Sequence, residues 1–323
     1  MKPFKSFLAR QFEHYIRYRQ NMGYAIKTLR AHLRQFDRCL VKHRCGPDGL
    51  QPSFFLQLQH SLPLEPRSIN RMFSTMRMFF QYQQRTGASE QNPLRDIPAL
   101  PEWHYMPFVF SPEQTDQLLD SFCKKLRKDP AGFLKDYGIY LALLLMARSG
   151  LRISEPLRLF RSHYRPEEKT LYIEKTKFKK DRLIPIPKAA ATEIDNYLQL
   201  RNCLIDDDRN PYLLLGLNNK GLSQDRVRTA FHRCVRDIGL SASRKTMANT
   251  TFGSPTPHSL RHSFAINTLK RVKLQGKCPQ NALPVLAAYM GHSEYKHTFK
   301  YLKVLDAEHR QGLVQFVTSH GAL

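Results

Sequence analysis

The sequence predicts a mainly α chain with a small antiparallel β-sheet, an all-helical N-terminal part being followed by an α+β C-terminal part. Three observations carry this. Apolar residues recur at helical spacing up to residue 90; five prolines fall between Gly87 and Pro112; and two short apolar runs, Leu171-Tyr172-Ile173 and Leu183-Ile184-Pro185-Ile186, flank a basic turn.

The elements follow in order. Phe4, Phe7, Leu8, Phe12, Tyr15, Ile16 and Tyr18 crowd one face of a first helix, and Ile26, Leu29, Leu33, Phe36 and Leu40 one face of a second. Phe54 to Leu58 allow a shorter third, and Ile69, Met72, Phe73, Met76, Met78, Phe79 and Tyr82 mark a fourth. Residues 1–90 therefore predict a small helical domain and the proline-rich 91–110 an extended linker, which leaves 111–323 as the second domain. There, Ser111-Pro112-Glu113 reads as cap, N1 proline and early acid, the start of a helix. Tyr137 to Ala147 is nearly all apolar, a buried helix stopped by Ser149-Gly150. Ser154 reads as the cap of a helix after Arg152, and Thr256-Pro257 as the start of another.

Fifty-one Lys plus Arg against 27 Asp plus Glu leave a formal charge of +24, so the expected partner is a polyanion, nucleic acid before a membrane surface. The longest apolar stretch, Ile139 to Ala147, is too short to span a bilayer, and Arg10 and Glu13 interrupt any signal peptide. A cytoplasmic setting, nucleoid-associated on DNA, is expected. Six scattered cysteines do not make a disulfide framework; Cys39, His43 and Cys45 lack a fourth zinc ligand. Asp206-Asp207-Asp208 beside Arg209-Asn210-Pro211 reads as a polar loop rather than a magnesium site. No metal and no cofactor is expected.

The chemistry-bearing residues are spread through the second part: Arg152 in Ser149-Gly150-Leu151-Arg152, Lys177 in Thr176-Lys177-Phe178-Lys179-Lys180, His258 and Arg261 in Pro257-His258-Ser259-Leu260-Arg261-His262, then His292 and Tyr301. Cations to hold a phosphate, proton carriers and a phenol form a phosphodiester-handling set. His258 and Arg261, a turn apart at a helix start, can face one anion. His258 and His262 also stand at i and i+4, but Ser259 replaces the glutamate that a zinc-protease pair needs. Each residue alone has a bland reading. Arg152 suits an ion pair with Glu155, a basic turn suits backbone contacts, and an isolated tyrosine suits packing.

In order and spacing the six positions resemble the tyrosine recombinases, or phage integrase family, whose active site reads Arg, Lys, His-x-x-Arg, His, Tyr; Ala282 to His292 looks like the mobile-element integrases. The resemblance covers nearly the whole chain. It implies a helical core-binding domain that clamps DNA, a C-terminal α+β catalytic domain ending in an assembly tail, and catalytic Arg152, Lys177, His258, Arg261, His292 and Tyr301, with Lys179 the alternative to Lys177. It further implies attack by Tyr301 to give a 3′-phosphotyrosyl link, His258 accepting the phenol proton, Lys177 protonating the 5′-oxygen, and strand exchange through a Holliday junction by a homotetramer on two double-stranded DNA sites. Accessory recombinases or DNA-bending proteins are further partners it allows. Candidate DNA contacts are Lys27, Arg30, Arg34, Lys175, Lys179, Lys180, Arg226 and Arg228. A type IB topoisomerase and a catalytically silent DNA-binding protein of the same fold remain the alternatives.

Overall fold

The computed structural model describes residues 3–174, 181–216, 220–247, 249–292, 294, 297–302 and 304. The chain divides into two compact units, Met1–His104 and Tyr105–Leu323.

The first unit is built from α1 (Ala9–Asn21), α2 (Lys27–Lys42), α3 (Pro52–Ser61) and α4 (Pro66–Arg85). Their apolar faces meet in a core of Phe12, Phe36, Phe55, Met72, Met76 and Phe79, in which Phe12 and Phe79 lie 4.8 Å apart, centroid to centroid. Proline at N1 starts α3 and α4, where its missing N–H costs no hydrogen bond. Buried Asp37 accepts the backbone N–H groups of Lys5 and Ser6 at 2.8–3.1 Å, which pins the chain's start to α2.

The segment expected to be an extended linker is not one throughout. Leu94 and Ile97 are buried in the helical unit's core, and Arg77 donates to their carbonyls at 3.0 and 2.9 Å. Burial of two large aliphatic side chains outweighs the extended preference that its prolines confer. Further on, Phe110 belongs to the second unit's core.

The boundary between the units falls within β1 (His104–Met106), after which comes α5 (Pro112–Cys123), whose capping box joins Ser111 and Gln114. Next comes α6 (Pro130–Ser149), starting a turn and more before its apolar run because Asp129 caps it. Then follow β2 (Tyr164–Arg165), β3 (Thr170–Ile173), β4 (Arg182–Pro185), α7 (Lys188–Leu204), α8 (Gln224–Asp237), β5 (Lys245–Met247), β6 (Thr250–Phe252), α9 (Pro257–Leu274) and α10 (Pro279–Met290). Apolar all round, α6 is the central post, packed against α5, α7, α8 and α9. The expected strand pair is β3 and β4, antiparallel with Leu171 opposite Ile184. A second sheet, ordered β1-β6-β5, has no counterpart in the sequence reading; its strands are three residues each, too short for a period to show.

Arg201, fully buried on α7, donates to Asp208 and to the carbonyls of Asn210, Tyr212 and Leu213. Asp208 is therefore an ion-pair anchor, shared with Arg161, and not part of a solvated polar loop. Among the described residues no helix is long and apolar enough to cross a membrane.

Candidate active site

Two helix ends create the site. α6 stops at Gly150 and α10 at Gly291, both left-handed, with φ of 60° and 64°. A Cβ on Gly150 would lie 2.4 Å from the Phe264 ring, and one on Gly291 would lie 2.8 Å from the Arg182 guanidinium, so both the conformation and the space call for glycine. The carbonyls freed at these ends become anchors for arginines.

Arg152 donates through Nη2 to Gly291 O at 2.9 Å and through Nη1 to Glu155 Oε1 at 2.9 Å. Its backbone N–H donates to Glu155 Oε2 at 2.8 Å. This reach of Glu155 back to Arg152 closes a turn, and Leu159 O then accepts Leu213 N–H at 2.7 Å, which draws the chain into extended backbone. The Ser154-capped helix expected here is replaced by these turns and a short 3-10 segment, Pro156–Arg158.

Arg261, 1% exposed on α9, donates to Gly150 O and Met290 O, both at 2.6 Å, with Glu155 Oε2 at 3.9 Å. Arg182, at the start of β4, meets Glu155 fork to fork at 2.9 and 3.1 Å and donates to Tyr289 O at 2.8 Å. Glu155 is thus the common counter-ion of three arginines. Burial would raise its carboxyl pKa, but the Arg182 hydrogen bonds and charge, with the Arg152 N–H and Arg261, outweigh burial and hold it below the usual range. Burial and Arg152 push Arg261 down to about 9, which leaves it charged at neutral pH. Three guanidiniums against one carboxylate leave an excess of two positive charges, suited to an anion.

Beside this cluster stand three histidines and Tyr301. His258 occupies the first turn of α9, its ring edge-on to that of His262 with 4.5 Å between centroids. His292 follows Gly291 and pairs through Nδ1 with Thr298 Oγ1 at 2.7 Å. Tyr301, in helical backbone over 297–302, is 1% exposed. Its hydroxyl lies 3.1 Å from Nδ1 of His262, its ring stacks at 6.3 Å on His292, and the Lys300 ammonium sits 5.2 Å from the ring centroid. The phenol partner is therefore His262 where the resemblance implied His258: on α9 the i+4 ring, a turn deeper, is the one that meets 301.

Burial, then the Arg261, Lys300 and Arg152 charges, push His258 down to about 4. Burial and His258 push His262 to about 2, and burial with Arg261 and Arg152 push His292 to about 3. All three rings are neutral at pH 7. Burial lifts the Tyr301 phenol to about 12, against the pull of Arg261 and Arg152.

Lys177, its neighbours Lys175, Lys179 and Lys180, and Tyr295 lie outside the described residues, as does the expected assembly tail apart from Leu302 and Val304, which are buried against the core that holds Tyr301. Of the candidate DNA contacts, Lys27 is exposed, while Arg30 spends its fork on Glu13 at 2.9 and 3.0 Å. Arg34 lines a cavity of about 700 Å³ with Lys5, Asp37, Arg38 and Lys42. Arg226 is half-buried, and Arg228 is exposed beside Asp225 at 3.8 Å. The sequence reading assigned no role to Arg182 or Thr298, suggested His262 only as half of a rejected zinc pair, and took Glu155 only as a partner for Arg152. An Arg directly before a buried Ile-Pro strand and a His directly after Arg261 were the available signals.

Residues 109–308 match the sequence model of the phage integrase family. The chain is 28% identical over 306 residues to y4rE of Sinorhizobium fredii, named an integrase/recombinase, which covers 94% of this chain and 93% of that one. It is 30% identical over 243 residues to the tyrosine recombinase XerC of Alcanivorax borkumensis, covering 75% and 70%. In fold it is similar to the Tn1549 transposon integrase in complex with transposon right end DNA, with a TM-score of 0.64 at 19% identity over 94% of this chain and 98% of that one. With a matching family model over most of its length and a recombinase relative at that identity, the chain belongs to the phage integrase family and is a tyrosine recombinase.

Proposed function

We propose that this recombinase cuts and rejoins double-stranded DNA at specific sites, with Tyr301 as nucleophile and Arg152 and Arg261 as the grip on the scissile phosphate. The observation that carries the reading is the pair of guanidiniums, Arg261 buried and Arg152 half-buried, tied to the carbonyls of two helix ends and left with excess positive charge beside a tyrosine. As the phosphorus becomes pentavalent, negative charge builds on its non-bridging oxygens. Preorganised guanidiniums stabilise that charge more than the ground state. His258 and His292 line the same cluster as neutral hydrogen-bonding groups. Lys177 protonates the departing 5′-oxygen, and the 3′-phosphotyrosyl ester conserves the bond energy for rejoining, so neither metal nor cofactor is required.

Strand exchange then passes through a Holliday junction formed by four protomers on two DNA sites, with accessory recombinases or DNA-bending proteins as further partners. The helical unit supplies backbone contacts from Lys27, Arg34 and their neighbours, and Arg226 and Arg228 add contacts from the second unit. The charge of +24 supports this, and binding should fall steeply with salt as counterions are released.

The test is a suicide duplex, nicked so that the 5′-hydroxyl fragment diffuses away after cleavage. The wild type should accumulate a covalent adduct mapping to the Tyr301 peptide, and Tyr301→Phe should bind the duplex and form none. An adduct on the Phe variant would move the nucleophile elsewhere, to Tyr295 first.

A further inference from the structure

The phenol that attacks must lose its proton, and its immediate neighbour is His262. Nδ1 of this ring lies 3.1 Å from the Tyr301 oxygen inside a buried pocket, the rings being 5.6 Å apart. His258 stands one turn nearer the start of α9, its ring centroid 4.5 Å from that of His262. Resting on the reading of Tyr301 as nucleophile, we infer that His262 is a catalytic residue of the cleavage step, the general base that takes the Tyr301 proton.

In the step, the neutral ring carries its proton on Nε2 and accepts at Nδ1. As the phenol oxygen forms its bond to phosphorus, its proton passes to Nδ1 and the bond from phosphorus to the 5′-oxygen breaks. The leaving oxygen takes its proton from Lys177. The imidazolium returns its proton when the phosphotyrosyl ester is later cleaved by the incoming 5′-hydroxyl, so the cycle closes with no net proton gained or lost.

The surroundings make this base conditional on substrate. Facing His262 are His258 and Arg261 on α9, His292 beyond α10, and Lys300 with Tyr301 on the helical stretch 297–302. In the free protein the cations among them, with burial, make an imidazolium very unfavourable. A phosphodiester held by Arg152 and Arg261 brings one negative charge into this field and offsets part of it. The base thus gains strength when the anion to be attacked is in place, and a lone phenol in the empty site stays protonated.

His→Asn keeps a hydrogen-bonding atom near Nδ1 but cannot take the proton. His262→Asn should therefore lower the single-turnover rate of adduct formation on the suicide duplex by ~100-fold, the low end of the contribution of a positioned base. Its log rate should climb with unit slope from pH 6.5 to 8, hydroxide replacing the lost base, where the wild type is flat. His258→Asn should lower the rate and keep the flat profile. A second variant, His262→Ala, should recover adduct formation in proportion to added imidazole. Wild-type rate and a flat profile in His262→Asn would overturn the inference, as would the pH-dependent loss appearing in His258→Asn instead. If His262→Asn binds DNA or unfolds abnormally, the imidazole series decides, absence of rescue counting against the base. Failure of the wild type to form any adduct would instead strike the proposed nucleophile, so the two failures are distinct.

Discussion

Arg152 and Arg261 are cross-tied: each takes the carbonyl at the helix end nearer the other's own chain segment. Arg261, on α9, holds Gly150 O two residues before Arg152, and Arg152 holds Gly291 O next to the Met290 carbonyl that Arg261 also holds. Neither guanidinium can shift without disturbing an anchor of the other.

Gly150→Ala tests the anchor. The new Cβ meets the Phe264 ring at 2.4 Å in a left-handed conformation, so the helix end must move and carry the Arg261 acceptor with it. The expected loss is about 2 kcal/mol of stability, from strain and overpacking together. Adduct formation should fall by tenfold or more even at temperatures where the variant is fully folded. Urea unfolding and suicide-substrate kinetics on one preparation measure both.

Glu155→Gln removes the counter-ion of three arginines. About 3 kcal/mol of stability should go, the cost of leaving buried charge uncompensated. Because the folded carboxyl is held below its unfolded value of roughly 4.3, its contribution is present above that pH and is lost as pH falls through the lower, folded value. The gap between wild type and variant should thus be constant from pH 8 to 5 and close only in stronger acid. A gap already closing near pH 6 would assign the pairing to other groups.

The buried histidines set a second, higher acid limit. His258, His262 and His292 have folded values of about 4, 2 and 3, so their neutral forms stabilise the fold above an unfolded value of roughly 6.5, and that stability drains as pH falls below it. Three extra protons on the unfolded chain correspond to up to about 4 kcal/mol per pH unit. Urea midpoints at pH 7.5, 6.0 and 5.0 should drop accordingly, and His258→Asn should flatten the slope by about a third.

Excess EDTA should leave strand cleavage unchanged, since the arginine excess supplies the positive charge that a metal would bring. Loss in EDTA with rescue by Mg2+ would contradict it. Asp208→Asn, in the acidic stretch, should instead cost about 3–5 kcal/mol by stranding the buried Arg201, with cleavage per folded molecule retained. Thermal unfolding and adduct assays separate the two effects.

The sequence made the four N-terminal helices legible because each carries a one-sided apolar face, and α6 because it is apolar all round. β3 and β4 showed through alternating aliphatics. Arg152, Arg261, His292 and Tyr301 were legible as a pattern of spacing, which the fold brings into one cluster. What spacing could not convey was which neighbour a side chain meets. His258 and His262 share a helix face, and only the position of the 297–302 segment decides that the second touches the phenol. Likewise Leu94 and Ile97 sit among prolines that signal extended chain, and their burial depends on a groove made by helices far earlier in sequence.

The backbone carbonyls at Gly150 and Gly291 also bear on entropy. An arginine side chain that is free in solution gives up about 2 kcal/mol of rotamer freedom on being fixed. Here both guanidiniums are fixed by peptide oxygens in the protein without DNA, so that ordering is complete at folding and is absent from the barrier to cleavage. For the pair this is about 4 kcal/mol, on the order of a thousandfold in rate. With Arg152 and Arg261 as the proposed grip on the phosphate, part of the rate of strand cleavage would be set by two helix terminations that never touch DNA chemistry themselves.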